Sequence, residues 1–290
     1  MFKIEVEKFS KTMNLSKTFL YSLVILSIGL SNCDLEKSVD LELPVYENQM
    51  VIECYLEVGK PMVAVISESV GFFSSPDLPL LAGAEVNILH RGFSYELKEG
   101  IFIDTTTAFP RFFNYGTGII CPSNYNEDFT IEVRDAQGRI AFATTQILEP
   151  VPIDTLEVIW KEDSPVEIGL IFTRFFDPPA TENFYRRTFQ KGSILGMGKN
   201  EQDFTTTDNF ADDNNQIVFG TDFNFYKNDT VISTIYNIDK AYYDFRESIQ
   251  NAISSNGNPF GQPGVIKSNI EGGIGIFTGI SFDRKVMIIE

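Results

Sequence analysis

The sequence is poor in the residues that most enzymes rely on. It has one histidine, His90, one tryptophan, Trp160, and three cysteines in 290 residues. A lone imidazole excludes any zinc site built on two histidines and leaves a Ser-His-Asp arrangement a single candidate. The patterns HExxH, CxxC and G-x-S-x-G are absent, which removes the common metalloprotease, thiol-redox and serine-hydrolase signatures. Positive charge is also scarce: 23 Lys and Arg stand against 40 Asp and Glu, a net charge of −17. Such a surface repels phosphate, so nucleic-acid binding and electrostatic attachment to anionic lipid are excluded as roles. No apolar run reaches the roughly 20 residues that a membrane-spanning helix needs.

The longest apolar run, Thr18 to Leu30, follows Lys17 and precedes Ser31-Asn32-Cys33. A basic residue, a short apolar core and small or polar residues before a cysteine form an export signal. We therefore read residues 1–32 as a signal peptide, with Met13 as an alternative translation start that would give a leader of conventional length. Leu30-Ser31-Asn32-Cys33 resembles a lipobox, in which Cys33 is acylated and becomes the mature N-terminus. The competing reading is an ordinary secreted protein in which Cys33 is incidental. Residues 33–47 are polar and acidic with no usable periodicity, and read as a tether.

The whole chain holds 43% hydrophobic residues, enough for a substantial core, with Phe as its preferred filler. Strict alternation over Val51–Val58 and over Phe129–Arg134 marks half-buried strands. Asp135-Ala-Gln-Gly138 then joins the second of these to Arg139–Ile147, which predicts a hairpin. His90-Arg91-Gly92 predicts another turn, between Ala84–Leu89 and Phe93–Leu97, and places His90 at the surface. Short strands without intervening helices predict an immunoglobulin-like antiparallel sandwich over residues 48–149. Pro150 and Pro152 mark a boundary, because prolines two apart do not fit a central strand.

Residues 150–290 read as a second β-rich domain. Its expected strands are Ile153–Trp160, Val166–Phe176, Phe184–Gln190, Ile217–Tyr226, Thr230–Tyr236, Val265–Ile270, Ile274–Phe282 and Lys285–Ile289. Lys227-Asn228-Asp229 is expected to close a hairpin, Gly192–Gly198 to be irregular, and Asp203–Gln216 to be the most polar loop. One helix is expected at about 239–253, capped by Asp239, with Tyr242, Phe245 and Ile249 on its apolar stripe. The fold class is thus mainly β, with one packed helix.

No catalytic set emerges from these residues, and no cofactor motif. Gly272-Gly273-Ile274-Gly275 lacks the Lys-Ser/Thr of a phosphate loop and reads as close strand packing. Asp208, Asp212 and Asp213 offer oxygen ligands to calcium at a spacing unlike an EF-hand, and read more simply as a solvated loop. Cys54 and Cys121 pair as a disulfide on one reading; on the other, Cys54 is a buried thiol in phase with Ile52 and Leu56. Phe109–Tyr115 reads as loop-base packing, with a ligand platform as the alternative. Carboxylates are numerous, but nothing singles out a glycosidase pair.

Asp239-Lys-Ala-Tyr-Tyr-Asp-Phe245, Asn258-Pro259-Phe260 and Ser268-Asn-Ile-Glu-Gly-Gly-Ile-Gly-Ile-Phe277 resemble the signature of domain-of-unknown-function family 4249. Met50–Leu56 and Asp128–Gly138 support the likeness, whereas Cys54 and Arg246 depart from its usual glycine and aromatic. The resemblance implies a Bacteroidetes lipoprotein, held in the outer membrane by its lipid alone and exposed at the cell surface. It also implies a TonB-dependent transporter as partner, with no catalytic residues to carry over. Nothing selects among a small molecule, a peptide and a glycan as ligand. Asp104-Thr105, Asp154-Thr155 and Asp229-Thr230 resemble the O-glycosylation motifs of that phylum, making Thr105, Thr155 and Thr230 candidate sites. Two other function classes remain open at this level: a surface enzyme using a carboxylate pair, and an adhesive or structural lipoprotein.

Overall fold

Alternation sets the first strands. In β1 (Met50–Glu57) and β2 (Pro61–Glu68) every second side chain is buried, among them Ile52, Cys54, Leu56, Met62, Ala64 and Ile66. A computed structural model describes these and all other elements over residues 47–71, 79–104, 110–179, 181–192, 199–255 and 264–290. Opposite them lie β3 (Glu85–His90), β6 (Asp128–Arg134) and β7 (Ile140–Gln146), whose inward residues Val86, Ile88, Phe129, Ile131, Val133 and Ala141 fill the same core. The long strand β4 (Phe93–Asp104) serves both layers. Its first part, to Leu97, pairs with β3 and its second, from Lys98, with β5 (Arg111–Ile120), with a register shift between Glu99 and Phe102 just past the change of partner. An extra residue at such a point bends a strand and lets it turn a corner.

The second core is enclosed by two further layers. β8 (Ile153–Trp160), β9 (Gly169–Phe176) and β12 (Gln216–Gly220) form a three-stranded sheet in the order β12-β9-β8. β10 (Phe184–Lys191), β11 (Lys199–Thr207) and β13 (Thr230–Ile238) continue the main sheet. Ile171, Phe175, Tyr185, Phe189, Phe219 and Ile235 pack together in the space between.

The strand β14 (Ile274–Ile288) joins the two cores. Its first half pairs parallel with β1, from Val51 opposite Ile274 to Glu57 opposite Ile280. Its second half pairs antiparallel with β13, from Ser281 opposite Asn237 to Ile288 opposite Thr230. The main sheet is therefore a continuous 11-stranded one, in the order β11-β10-β13-β14-β1-β2-β5-β4-β3-β6-β7. The mainly β class and, among the described residues, the single packed α-helix are as expected from the sequence. Two details differ from it: the first sandwich is completed by residues from the far end of the chain, and that completion is a parallel pair. The prolines at 150 and 152 do separate β7 from β8, but Val151 between them is buried in the second core.

Other local expectations change as well. Asp203–Thr207 is not loop but part of the edge strand β11, which pairs with β10 along one side. β12 and β13 do not form a hairpin; β12 pairs with β9 instead. Ile274–Phe282 and Lys285–Ile289 are one strand, while Val265–Ile270 is not a strand. Asn258–Phe260 and residues 193–198 lie outside the described residues.

The helix α1 (Lys240–Ser255) starts where Asp239 accepts a hydrogen bond from the Tyr242 amide at 2.7 Å, an N-cap that satisfies one of the free donors of the first turn. Tyr242 and Phe245 are buried against Phe184, Ile238 and Ile276, and the Tyr242 ring meets Tyr55 edge-on at 5.9 Å. The other Asp239 oxygen accepts from the Thr145 and Thr278 hydroxyls at 2.7 and 3.3 Å, tying the helix start to β7 and β14.

The glycine-rich run enables a close approach of strands. Gly275 has φ +122°, and a Cβ there would lie 2.0 Å from the Ile52 carbonyl oxygen; one at Gly272 would lie 2.2 Å from that of Ile140. No side chain fits, so β14 can settle onto β1 and β7 only with glycine at these positions.

Candidate functional site

The one histidine is not at the surface. In β3 the buried positions alternate as Val86, Ile88 and His90, which carries the imidazole onto the core face, where it is 4% exposed. That alternation was readable, and the turn beside it hid it: Arg91 and Gly92 have φ of +50° and +79°, so the chain reverses one residue after His90. His90 stacks on Phe129, with ring centroids 3.9 Å apart and planes 5° from parallel.

Its hydrogen bonding fixes its tautomer. Nδ1 lies 3.0 Å from the Asp128 backbone carbonyl, which can only accept, so Nδ1 carries the proton. In the neutral ring Nε2 is then the acceptor, and in the protonated ring it is a second donor. It makes no hydrogen bond among the described residues and lies 3.5 Å from Oε2 of Glu127, itself an acceptor. Glu127 is also held by Arg91, whose Nε donates to the same Oε2 at 2.5 Å and whose second guanidinium nitrogen donates to Oε1. The hydrogen bond from Arg91 is the principal influence on this carboxyl and lowers its pKa from the usual value.

Around this pair is an open cleft of about 350 Å³ lined by His90, Arg91, Asn126, Glu127, Asp128 and Gln146. Asn126 takes a left-handed φ of +59° and donates its amide to Ile147 O at 2.8 Å, which turns the chain into β6 with Glu127 and Asp128 at the rim. Gln146 Nε2 donates to Asp128 Oδ1 at 2.8 Å. The cleft thus presents two carboxylates and the Arg91 guanidinium at the end of the β3-β6-β7 layer, with the buried imidazole beside them.

The sites expected from sequence are not brought together here. Cys33 and Thr105 lie outside the described residues. Cys54 and Cys121 are free and buried, so the disulfide gives way to the alternative of buried thiols. Burial pushes both thiols up, Cys121 to about 12, with Glu57 adding to the effect there. Asp208 accepts from the Asn183 amide, and Asp212 accepts from the amides of Asn214 and Gln216; both carboxylates are used in turns. Among the described residues no three His, Cys, Asp or Glu side chains are grouped to hold a metal, and Asp213 is exposed. The Thr155 hydroxyl donates to Asp154 at 2.7 Å on β8, and Thr230 opens β13 with its carbonyl accepting from Gly192. In Phe109–Tyr115, Phe113 and Tyr115 are buried while Phe112 is 64% exposed.

Comparison with known proteins adds little about chemistry. No curated protein matches the chain. Among solved structures, a DUF4785-family protein of Legionella pneumophila is similar at 10% identity and TM-score 0.24, with 64% of this chain and 52% of that one covered. Dimeric latent PorU of Porphyromonas gingivalis is similar at 12% identity and TM-score 0.20, over 67% of this chain and 19% of that one. This chain therefore spans about half the length of the first and a fifth of the second, and at these TM-scores neither likeness bears on fold or function. A family profile, in contrast, matches residues 36–285, nearly everything after Cys33. The chain belongs to the family described as domain of unknown function DUF4249.

Proposed function

We propose that this protein is a surface lipoprotein of the outer membrane, anchored through Cys33, that acts without catalysis as an accessory partner of a TonB-dependent transporter in nutrient capture. The observation that carries the reading is the spacing from anchor to fold. The apolar run ends at Leu30, Cys33 follows, and the first strand begins only at Met50. Seventeen residues at roughly 3.3–3.6 Å each reach at most about 60 Å. That length lets a folded body stand off the bilayer and still dock on a neighbour in the same membrane. The acidic excess supports the same picture, since a sequence of net charge −17 is not drawn onto anionic headgroups.

Two measurements test it. Cys33→Ser moves the protein from the membrane fraction to the soluble one; retention in membranes would place the anchor elsewhere. A tagged wild-type protein, solubilised from outer membranes, co-purifies with a TonB-dependent transporter. Repeated recovery without one would sink the partnership while leaving the anchor intact.

A further inference from the structure

We infer that Arg187 and Phe204 form a binding site for a singly charged carboxylate carried on a flat or apolar body. Arg187 lies on β10 in phase with Tyr185 and Phe189, so its side chain leaves the main sheet on the face of the second core. It is half-buried there. Its guanidinium carbon stands 4.5 Å from the centre of the Phe219 ring, 5.2 Å from that of Phe204 and 5.9 Å from that of Phe189. One nitrogen donates to the Gly220 carbonyl at 3.3 Å, a long hydrogen bond.

What this guanidinium lacks is an acid. Arg139, Arg174, Arg186 and Arg246 are half-buried too, and each meets a carboxylate. Arg187 meets none among the described residues, in a chain where acids outnumber bases by 40 to 23. Burial acts on its pKa unopposed and lowers it. Withdrawing a charge from water costs free energy that aromatic faces return only in part. A bound anion would return the rest.

The form of the group selects the anion. The rings engage the guanidinium as a cation, and only one of its five N–H donors is used. Neither of the other two nitrogens is a buried atom without a partner, so both reach solvent. A carboxylate takes two parallel N–H donors from such a fork. A net charge of −17 penalises an incoming polyanion, whereas a single carboxylate does no more than balance Arg187. Phe204, directly opposite Arg187 in the β10–β11 register and 51% exposed, offers its ring to the body of the ligand.

The test uses the full-length protein purified in detergent, titrated with sodium benzoate and followed by saturation-transfer NMR on the ligand. Binding is expected at about 10 mM or tighter, as befits so small a molecule. Benzamide, which lacks the charge, and phosphate, which carries more of it, should not bind. An acetylated apolar tetrapeptide with a free C-terminus, set against its amide, separates the two sources of such a carboxylate: tighter binding of the peptide acid than of benzoate assigns the site to chain ends, the reverse to small acids. Arg187→Met should weaken binding by about tenfold or more and Phe204→Ala by several-fold. Since it removes a charge that has no acid partner, Arg187→Met should melt within ~5 °C of wild type. A much larger loss would make Arg187 a strut between β10 and β12 and overturn the site. So would benzoate and peptide acid both failing to bind, binding unchanged in either variant, or equal binding of benzamide or phosphate. Phe204 is exposed, so its variant reports on a folded protein whatever Arg187→Met does. The site needs neither the membrane anchor nor a transporter, and its failure would leave the proposed function untouched.

Discussion

Asn269 is paired with Phe277 as if it were a neighbouring strand: its carboxamide oxygen accepts from the Phe277 amide at 3.0 Å, and its nitrogen donates to the Phe277 carbonyl at 2.7 Å. The side chain replaces the backbone that would otherwise have to satisfy β14 at this point. Asn269→Ala leaves both groups of Phe277, a buried residue, without partners. The expected cost is about 2–4 kcal/mol, read as a lower urea midpoint. Asn269→Asp keeps the acceptor and loses the donor, and should fall between wild type and alanine.

Gly275→Ala places a Cβ against the Ile52 carbonyl in a backbone conformation that L-residues avoid. A loss of at least about 3 kcal/mol is expected. Gly138, also at positive φ but with nothing within 4 Å of a Cβ, serves as the control, and its alanine variant should lose only about 1–2 kcal/mol. Equal losses at the two positions would mean that backbone strain, not close approach, governs both.

Asp239 caps α1 and accepts from two threonine hydroxyls. Asp239→Ala should cost about 2–3 kcal/mol, more than an ordinary cap, since Thr145 also loses its short hydrogen bond at 2.7 Å. Thermal melts followed in the far ultraviolet would register it.

Two aspartates should respond to pH with opposite sign. Burial opposes ionisation of Asp203, but Arg186 at 2.7–2.8 Å and Arg246 at 3.0 Å prevail and hold its carboxyl below the usual range. Its stabilisation is fully present above the unfolded value near ~3.9 and is lost as pH falls through the folded one. Asp203→Asn should therefore be destabilising at pH 7 and approach wild type in acid. Asp177 is the reverse: burial raises its pKa above the usual value, against the hydrogen bond from Tyr185. Folding favours its protonated form, so stability falls as pH rises from the unfolded value through the folded one. Asp177→Asn, which keeps the acceptor for Tyr185, should be more stable than wild type at pH 7 and lose that advantage in acid. Denaturant midpoints at several pH values between 3 and 8 would separate the two.

The thiols of Cys54 and Cys121 are buried and their pKa values raised, so neither should react with iodoacetamide in the native protein at pH 8. Intact mass should show no adducts at these positions before denaturation and one at each after it, without prior reduction.

Much of this fold was legible because period-two burial is local. Ile52, Cys54 and Leu56, or Phe129, Ile131 and Val133, announce their strand without reference to anything distant. The Asp239 cap was legible for the same reason. β11 was not, because an edge strand rich in Thr, Asp and Gln has the composition of a loop, and only pairing with β10 distinguishes it. Nor was the parallel partnership of β1 and β14, since residues far apart in sequence carry no mark of each other. At the candidate site the alternation Val86, Ile88, His90 pointed inward while the turn at Arg91-Gly92 pointed outward. The first signal governs the side chain and the second only the chain. Glu127 was invisible, because its neighbour comes from a different strand.

Since β14 completes both cores, neither is finished while the chain is still being made. Val51 waits for Ile274, more than two hundred positions later, and until then the edge of β1 is an open template for any other extended chain. Contacts of such sequence separation are slow to form. Folding should accordingly be late and nearly all-or-none, with a long-lived adhesive precursor whose survival depends on how well it is escorted.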